Sequence, residues 1–207
     1  MAHAAGQAAK AYRALKLDED KAWIESVVRY PSPNADARPP GAAIDLLVVH
    51  GISLPPGEFG TPYVEALFCN RLDPAANPYF PDISNLKVSA HVFIRRSGEL
   101  IQFVPFHLRA WHAGESEFLG RKGCNDFSIG VELEGTDAIP YEDCQYERLI
   151  ALAGILMRAW PAITPDRVVG HCHIAPERKT DPGPEFDWRR IRSALGGPKT
   201  LPGRGMT

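Results

Sequence analysis

The chain has 207 residues, 44% hydrophobic and 23% charged, with a formal net charge of -2, the profile of one globular domain with a sizeable core. That balance gives no electrostatic ground for binding nucleic acid or an anionic membrane, so neither is expected as a partner. No apolar run reaches membrane-spanning length, the opening MAHAAGQAAKAYRALKLDEDKAW has no export-type apolar stretch, and four cysteines (69, 124, 144 and 172) without CxxC spacing fit reduced thiols in the cytoplasm.

Residues 1–22 read as a leader, frayed or helical, followed by a domain over 23–195 and a flexible Gly/Pro-rich tail over 196–207. Pro31 to Pro40, PSPNADARPP, cannot hold helix or strand and is expected to be an extended entry loop. Leu46-Leu-Val-Val49 is apolar at every position, as in a central strand covered on both faces. His50-Gly51 stands at its carboxyl end, where open α/β sheets hold ligands. Residues 62–67 suit a short helix with proline in its first turn, and residues 88–96 and 99–106 suit an antiparallel hairpin turning at Ser97-Gly98. From Phe127 to Glu134 the odd positions Phe127, Ile129, Val131 and Leu133 are apolar, so Glu132 shares the opposite face with Ser128, Gly130 and Glu134. Tyr146, Leu149, Ile150, Ala153, Leu156, Met157 and Trp160 recur at helical spacing until Pro161, and residues 187–195 suit a last helix.

Between them lies HCHIAPERKTDPGP, residues 171–184, with prolines at 176, 182 and 184. It reads as a shaped, non-helical loop that carries a site. A hydrolytic zinc site takes three nitrogen and oxygen ligands and leaves a fourth position open, and His50, His171 and Asp181 supply that set. Two neutral imidazoles and one carboxylate leave the ion with net positive charge. Glu132 is then the candidate general base, and Lys179 the candidate partner of the oxyanion formed when an amide carbonyl is attacked. The reaction these parts fit is metal-assisted amide hydrolysis. Spacing alone leaves His173 as a rival of His171, since alternating residues of an extended segment point the same way. Glu134 likewise rivals Glu132. Each residue also has an ordinary structural role open to it: a strand-end histidine bonded to backbone, an aspartate capping a turn, a solvated lysine.

The segments VVHGISLPPGEFG, VSAHVFIRRSGELIQFVPF, RAWHAGES, CNDFSIGVELEGTD and HCHIAPERKTDPGPEFDW resemble the cytoplasmic N-acetylmuramoyl-L-alanine amidases of the AmpD type, from about Trp23 to Trp188. The resemblance implies a single α/β domain of α+β character, a central mixed sheet flanked by helices, shared with phage amidases and peptidoglycan-recognition proteins. It implies one Zn2+ per chain on His50, His171 and Asp181, with Glu132 and Lys179 catalytic. The implied reaction is cleavage of the amide between 1,6-anhydro-N-acetylmuramic acid and L-alanine of an anhydro-muropeptide, in cell-wall recycling and in holding down β-lactamase induction.

Trp111 and His112 are expected on the sugar side of the cleft, because flat faces suit pyranose stacking. Lys87 and Arg121 are expected near stem-peptide carboxylates, and Ala175 near the substrate. Three positions depart from the family pattern: Gly51 where relatives often carry Asn, and Lys87 and Gly123 where Arg is expected. The alternative readings are a non-catalytic peptidoglycan-fragment binding module of the same fold, a general zinc peptidase, and a thiol protein built on Cys172. The sequence leaves the oligomeric state open.

Overall fold

The computed structural model describes residues 14–196. In chain order its strands are β1 (Val28–Arg29), β2 (Ala35–Ala37), β3 (Leu46–Ile52), β4 (Val92–Ile94), β5 (Leu100–Gln102), β6 (Leu108–Ala110), β7 (Glu117–Phe118), β8 (Arg121–Lys122), β9 (Ser128–Glu134) and β10 (Val168–Gly170). The helices are α1 (Tyr63–Phe68), α2 (Asp143–Ala159), α3 (His171–Ile174) and α4 (Trp188–Leu195). Six strands form one mixed sheet in the order β1-β5-β4-β9-β3-β10, in which only β4 and β5 run antiparallel. The pairs β2-β6 and β7-β8 are separate ribbons.

The all-apolar run at Leu46 to Val49 becomes β3, hydrogen-bonded on both sides, and its alternating side chains serve two different layers. Leu47 and Val49, with Ile129, Val131 and Leu133 of β9, pack under Leu149, Leu152, Ala153 and Leu156 of α2 and Ile191 of α4. Helix α2 starts at a capping box between Glu142 and Gln145 and stops one residue before Trp160-Pro161. Leu46 and Val48 face the other way, onto Ala113, Cys124, Phe127 and Ile174. Beside them Phe93, Ile101 and Phe103 pack against Leu67, Phe68 and Phe80. The second face is thus covered by loops and short helices, and the even-numbered side chains of β3 and β9 look into it. Each fully buried apolar side chain of these layers contributes about 1.5–3 kcal/mol.

Four expectations are corrected. The entry loop expected over Pro31 to Pro40 holds a short strand, β2, because Ala35 to Ala37 lie between the prolines and pair antiparallel with β6. The hairpin strands are three residues each, because the chain leaves the sheet at Ser89 and again at Phe103, where a backbone donor bonds the His91 carbonyl. Phe127 sits before β9 on the loop-covered side, out of phase with Ile129, Val131 and Leu133. Residues 171–174 form one helical turn, α3: Pro176 forbids a longer helix but not the turn before Ala175. Of the expected leader, residues 1–13 lie outside the described residues, as do residues 197–207 of the expected tail. Leu15 and Leu17 pack against the core, and the Ala22 carbonyl accepts from Phe106 N–H and Gln102 Nε2.

Candidate active site

Sheet register assembles the site. His50 of β3 is paired with Glu132 of β9, and Val49 with Gly170 of β10, so His171, the next residue, falls beside His50 on its other side. Parallel neighbours stand about 4.8 Å apart with side chains on a common face. One histidine is therefore flanked by a carboxyl and a second histidine. Asp181 returns to the same place because Cys172 N–H donates to its carbonyl at 3.0 Å and the Tyr141 hydroxyl donates to the following Pro182 carbonyl at 2.9 Å.

His50 Nδ1 lies 3.0 Å from His171 Nδ1, and Asp181 Oδ2 lies 3.3 Å from the first and 3.2 Å from the second. Tetrahedral ligands held about 2.0–2.1 Å from one zinc ion stand about 3.3–3.4 Å apart, so this triangle fits one face of such a tetrahedron. The Ala113 carbonyl, 3.1 Å from His171 Nε2, takes that ring's proton and leaves Nδ1 as a lone pair. Among the described residues, these three side chains form a group able to hold a metal ion. Their charge states agree with that chemistry. Burial pushes His50 down to about 4, against the pull of its Asp181 hydrogen bond, so it is neutral at pH 7. Burial alone would raise Asp181, but hydrogen bonds to His171 and His50 outweigh it and hold the carboxyl well below the usual range. Neutral imidazole and ionised carboxylate are the forms that bind metal.

Glu132 and Glu134 share a strand face but not an environment. Glu134 is tied on both oxygens, accepting from Gly60 N–H at 2.5 Å and Arg96 N–H at 2.9 Å. Glu132 is 9% exposed, lines the cleft, and its Oε2 has no hydrogen-bond partner. Burial, with Asp181 adding repulsion and Lys179 opposing, pushes its carboxyl well above the usual range, giving it a high proton affinity. His173 differs from His171 because the helical turn sends them apart. Its Nδ1 accepts from Gly170 N–H at 2.7 Å, its ring packs on Trp188, and it points away from the three donors.

The cleft, of about 420 Å³, is lined by His50, Glu132, His171, Lys179 and Asp181 on one side. An apolar wall of Leu67, Phe68, Tyr79, Ile83, Leu86 and Val88 forms the other, and sequence reasoning did not assign it. Its sequence signal is the run of large apolar residues Tyr79, Ile83 and Leu86 between α1 and β4, of which Tyr79 and Leu86 are exposed. Trp111 and His112 line the cleft as well. Both ring nitrogens of His112 are already engaged, Nδ1 with His50 Nε2 at 2.9 Å and Nε2 with Ser128 Oγ at 3.0 Å. Lys87 is exposed and is not part of the cleft lining. Arg121 pairs with Asp45 at 2.5 Å and lies over the Phe127 ring, and it does not line the cleft. Ala175 is buried and lines a neighbouring groove with Gly123, Lys122 and Arg178.

Residues 40–184 match the N-acetylmuramoyl-L-alanine amidase family. The chain is 57% identical over 176 residues to the 1,6-anhydro-N-acetylmuramyl-L-alanine amidase AmpD of Salmonella typhimurium (strain SL1344), covering 85% of this chain and 94% of that protein. A crystal structure of a selenomethionine AmpD derivative superimposes with a TM-score of 0.83 at 56% identity, covering 87% of this chain and 99% of the other. The Escherichia coli amidase AmiD, solved with the substrate anhydro-N-acetylmuramic acid-L-Ala-D-gamma-Glu-L-Lys, superimposes with a TM-score of 0.53 at 29% identity, covering 76% and 60%.

Proposed function

The chain belongs to the N-acetylmuramoyl-L-alanine amidase family, and on that premise we infer that it hydrolyses the amide between 1,6-anhydro-N-acetylmuramic acid and L-alanine of the stem peptide. The observation that carries this reading is the convergence of three metal-type donors beside a buried, unpartnered carboxyl in one cleft. The substrate class follows the AmpD relatives and the anhydro-muropeptide bound to AmiD.

His50, His171 and Asp181 would hold one Zn2+ per chain, which supplies a Lewis acid for the scissile carbonyl and acidifies water. Glu132 takes the proton of the attacking water on its carboxylate and passes it to the leaving nitrogen of L-alanine. Its raised proton affinity suits both halves of that transfer. Lys179, on the same wall of the cleft, places its ammonium beside the carbonyl oxygen as negative charge develops there. A C–O bond forms, the C–N bond breaks, and the products are the anhydro-sugar acid and a free peptide amine. Trp111 and the apolar wall receive the sugar.

We place the enzyme in the cytoplasm, acting on imported wall fragments, a setting that suits four free cysteines. There its role is recycling of anhydro-muropeptides and, through their removal, restraint of β-lactamase induction. Among the described residues no helix is long and apolar enough to cross a membrane. The test is chromatographic: the purified chain with zinc should split 1,6-anhydro-muramyl tripeptide into sugar and tripeptide, and stripping the metal should stop it. Cleavage within the peptide, or binding without cleavage, would sink the reading.

A further inference from the structure

We propose that His112 is a positioning residue for the metal ligand His50, and that Ser128 in turn holds His112. The inference rests on reading His50 as a ligand through Nδ1, the nitrogen that faces His171 and Asp181. For Nδ1 to offer a lone pair, the single ring proton of neutral His50 must sit on Nε2. The atom that Nε2 meets is His112 Nδ1, at 2.9 Å. Accepting there puts the proton of His112 on its own Nε2, where Ser128 Oγ, 3.0 Å away, accepts it. The two ring planes stand at 86° with centroids 5.0 Å apart, so the rings are not stacked and meet nitrogen to nitrogen, as a hydrogen bond requires.

The sheet is built to admit this chain of contacts. Ser128, Gly130 and Glu132 share one face of β9, and a Cβ on Gly130 would overlap the His112 ring. The ring therefore lies flat in the gap left by the glycine, between its two partners. It is further fixed from the main chain, since His112 N–H and Ala113 N–H both donate to Asn125 Oδ1. The same stretch supplies the Ala113 carbonyl that takes the His171 ring proton. Residues 112 and 113 thus set the orientation of both imidazole ligands, one by side chain and one by backbone. Outer partners of metal-bound histidines fix tautomer and ring angle and typically carry 10- to 100-fold in metal affinity. With both ring nitrogens engaged, His112 has none left to hydrogen-bond a ligand.

The test is zinc affinity by chelator competition on the full chain, with unfolding of each metal-free variant as a check on folding. His112→Phe should weaken zinc binding about 10- to 100-fold. His112→Asn, whose Oδ1 hangs on the same Cγ and accepts the same proton, should restore most of the affinity. Ser128→Ala should weaken it by a smaller factor, and this variant carries the test should the Phe variant not fold. Equal affinity in wild type, His112→Phe and Ser128→Ala would overturn the inference, as would equal loss in the Asn and Phe variants, which would mean packing rather than an accepted proton. A wild-type chain that fails to bind zinc would instead refute the ligand assignment itself.

Discussion

Gly51→Ala probes a tightly specified contact beside the candidate metal-binding loop. A Cβ built on Gly51 would overlap the Tyr141 hydroxyl oxygen, whereas the Tyr141 ring carbon Cζ and Pro182 Cα would be 3.6 and 3.5 Å away, at ordinary contact distance. The whole clash therefore falls on one oxygen. That oxygen donates to the Pro182 carbonyl at 2.9 Å, next to Asp181, so it cannot move without leaving a buried carbonyl unpaired. Losing that bond costs about 1–3 kcal/mol, and overpacking adds about 1–3 kcal/mol. We expect Gly51→Ala to destabilise the fold by about 2–6 kcal/mol, the sum of these two terms. Tyr141→Phe alone should cost about 1–3 kcal/mol, for the unpaired carbonyl. In the Tyr141→Phe background, however, adding Gly51→Ala should cost under about 1 kcal/mol, because the overlapping atom is gone. The coupling, at least about 1 kcal/mol, is readable from urea midpoints at constant m value. Additivity within about 0.5 kcal/mol would refute the placement of Tyr141. The same clash means that an asparagine at position 51 cannot coexist with this position of the Tyr141 hydroxyl.

Other expectations follow from the same geometry. Glu132→Gln should lower kcat about 10²- to 10⁴-fold while leaving zinc affinity intact in a chelator titration, since Glu132 is not among the three donors; unchanged turnover would remove it as the base. His91, buried against Arg38 and bonded by Gly130 N–H, is pushed down by burial to about 3 from an ordinary value of 6.5. The unfolded chain therefore takes up this proton first, so the stability contribution is full above pH 6.5 and is lost between 6.5 and 3. Between pH 6.5 and 4.5 metal-free protein should lose on the order of 2 kcal/mol through this group, and a loss of the same size in His91→Gln would show that another group is responsible. Cys172→Ser should leave turnover unchanged, because burial pushes that thiol up to about 11 and keeps it protonated; loss of activity with normal zinc binding would revive a thiol role.

What the sequence made legible was what depends on local pattern. The apolar run before His50, the alternation through β9 and the helical spacing up to Pro161 each specify an element and a buried face, and the sheet follows from stacking them. The choice between His171 and His173 was not legible from spacing, because it turns on one helical turn before Ala175 and Pro176, where an extended reading sends both side chains the same way. The choice between Glu132 and Glu134 was closed to periodicity for a different reason. The two share a face, and what separates them is that the Gly60 and Arg96 backbones come to Glu134 from distant loops.

The two glycines on the site strands carry the same lesson from the other side. Gly51 and Gly130 mark places where something must approach the backbone closely, and the sequence shows that vacancy without naming the occupant. The occupants, Tyr141 and His112, reach the site from loops far along the chain, and each meets a ligand or its neighbour: the hydroxyl at Pro182 beside Asp181, the imidazole at His50. Because a strand side chain at either glycine would exclude its occupant, the positions of the candidate metal donors depend on atoms that are absent as much as on those present. A substitution that looks mild on a strand, glycine to alanine, is therefore expected to act on metal binding without touching any donor.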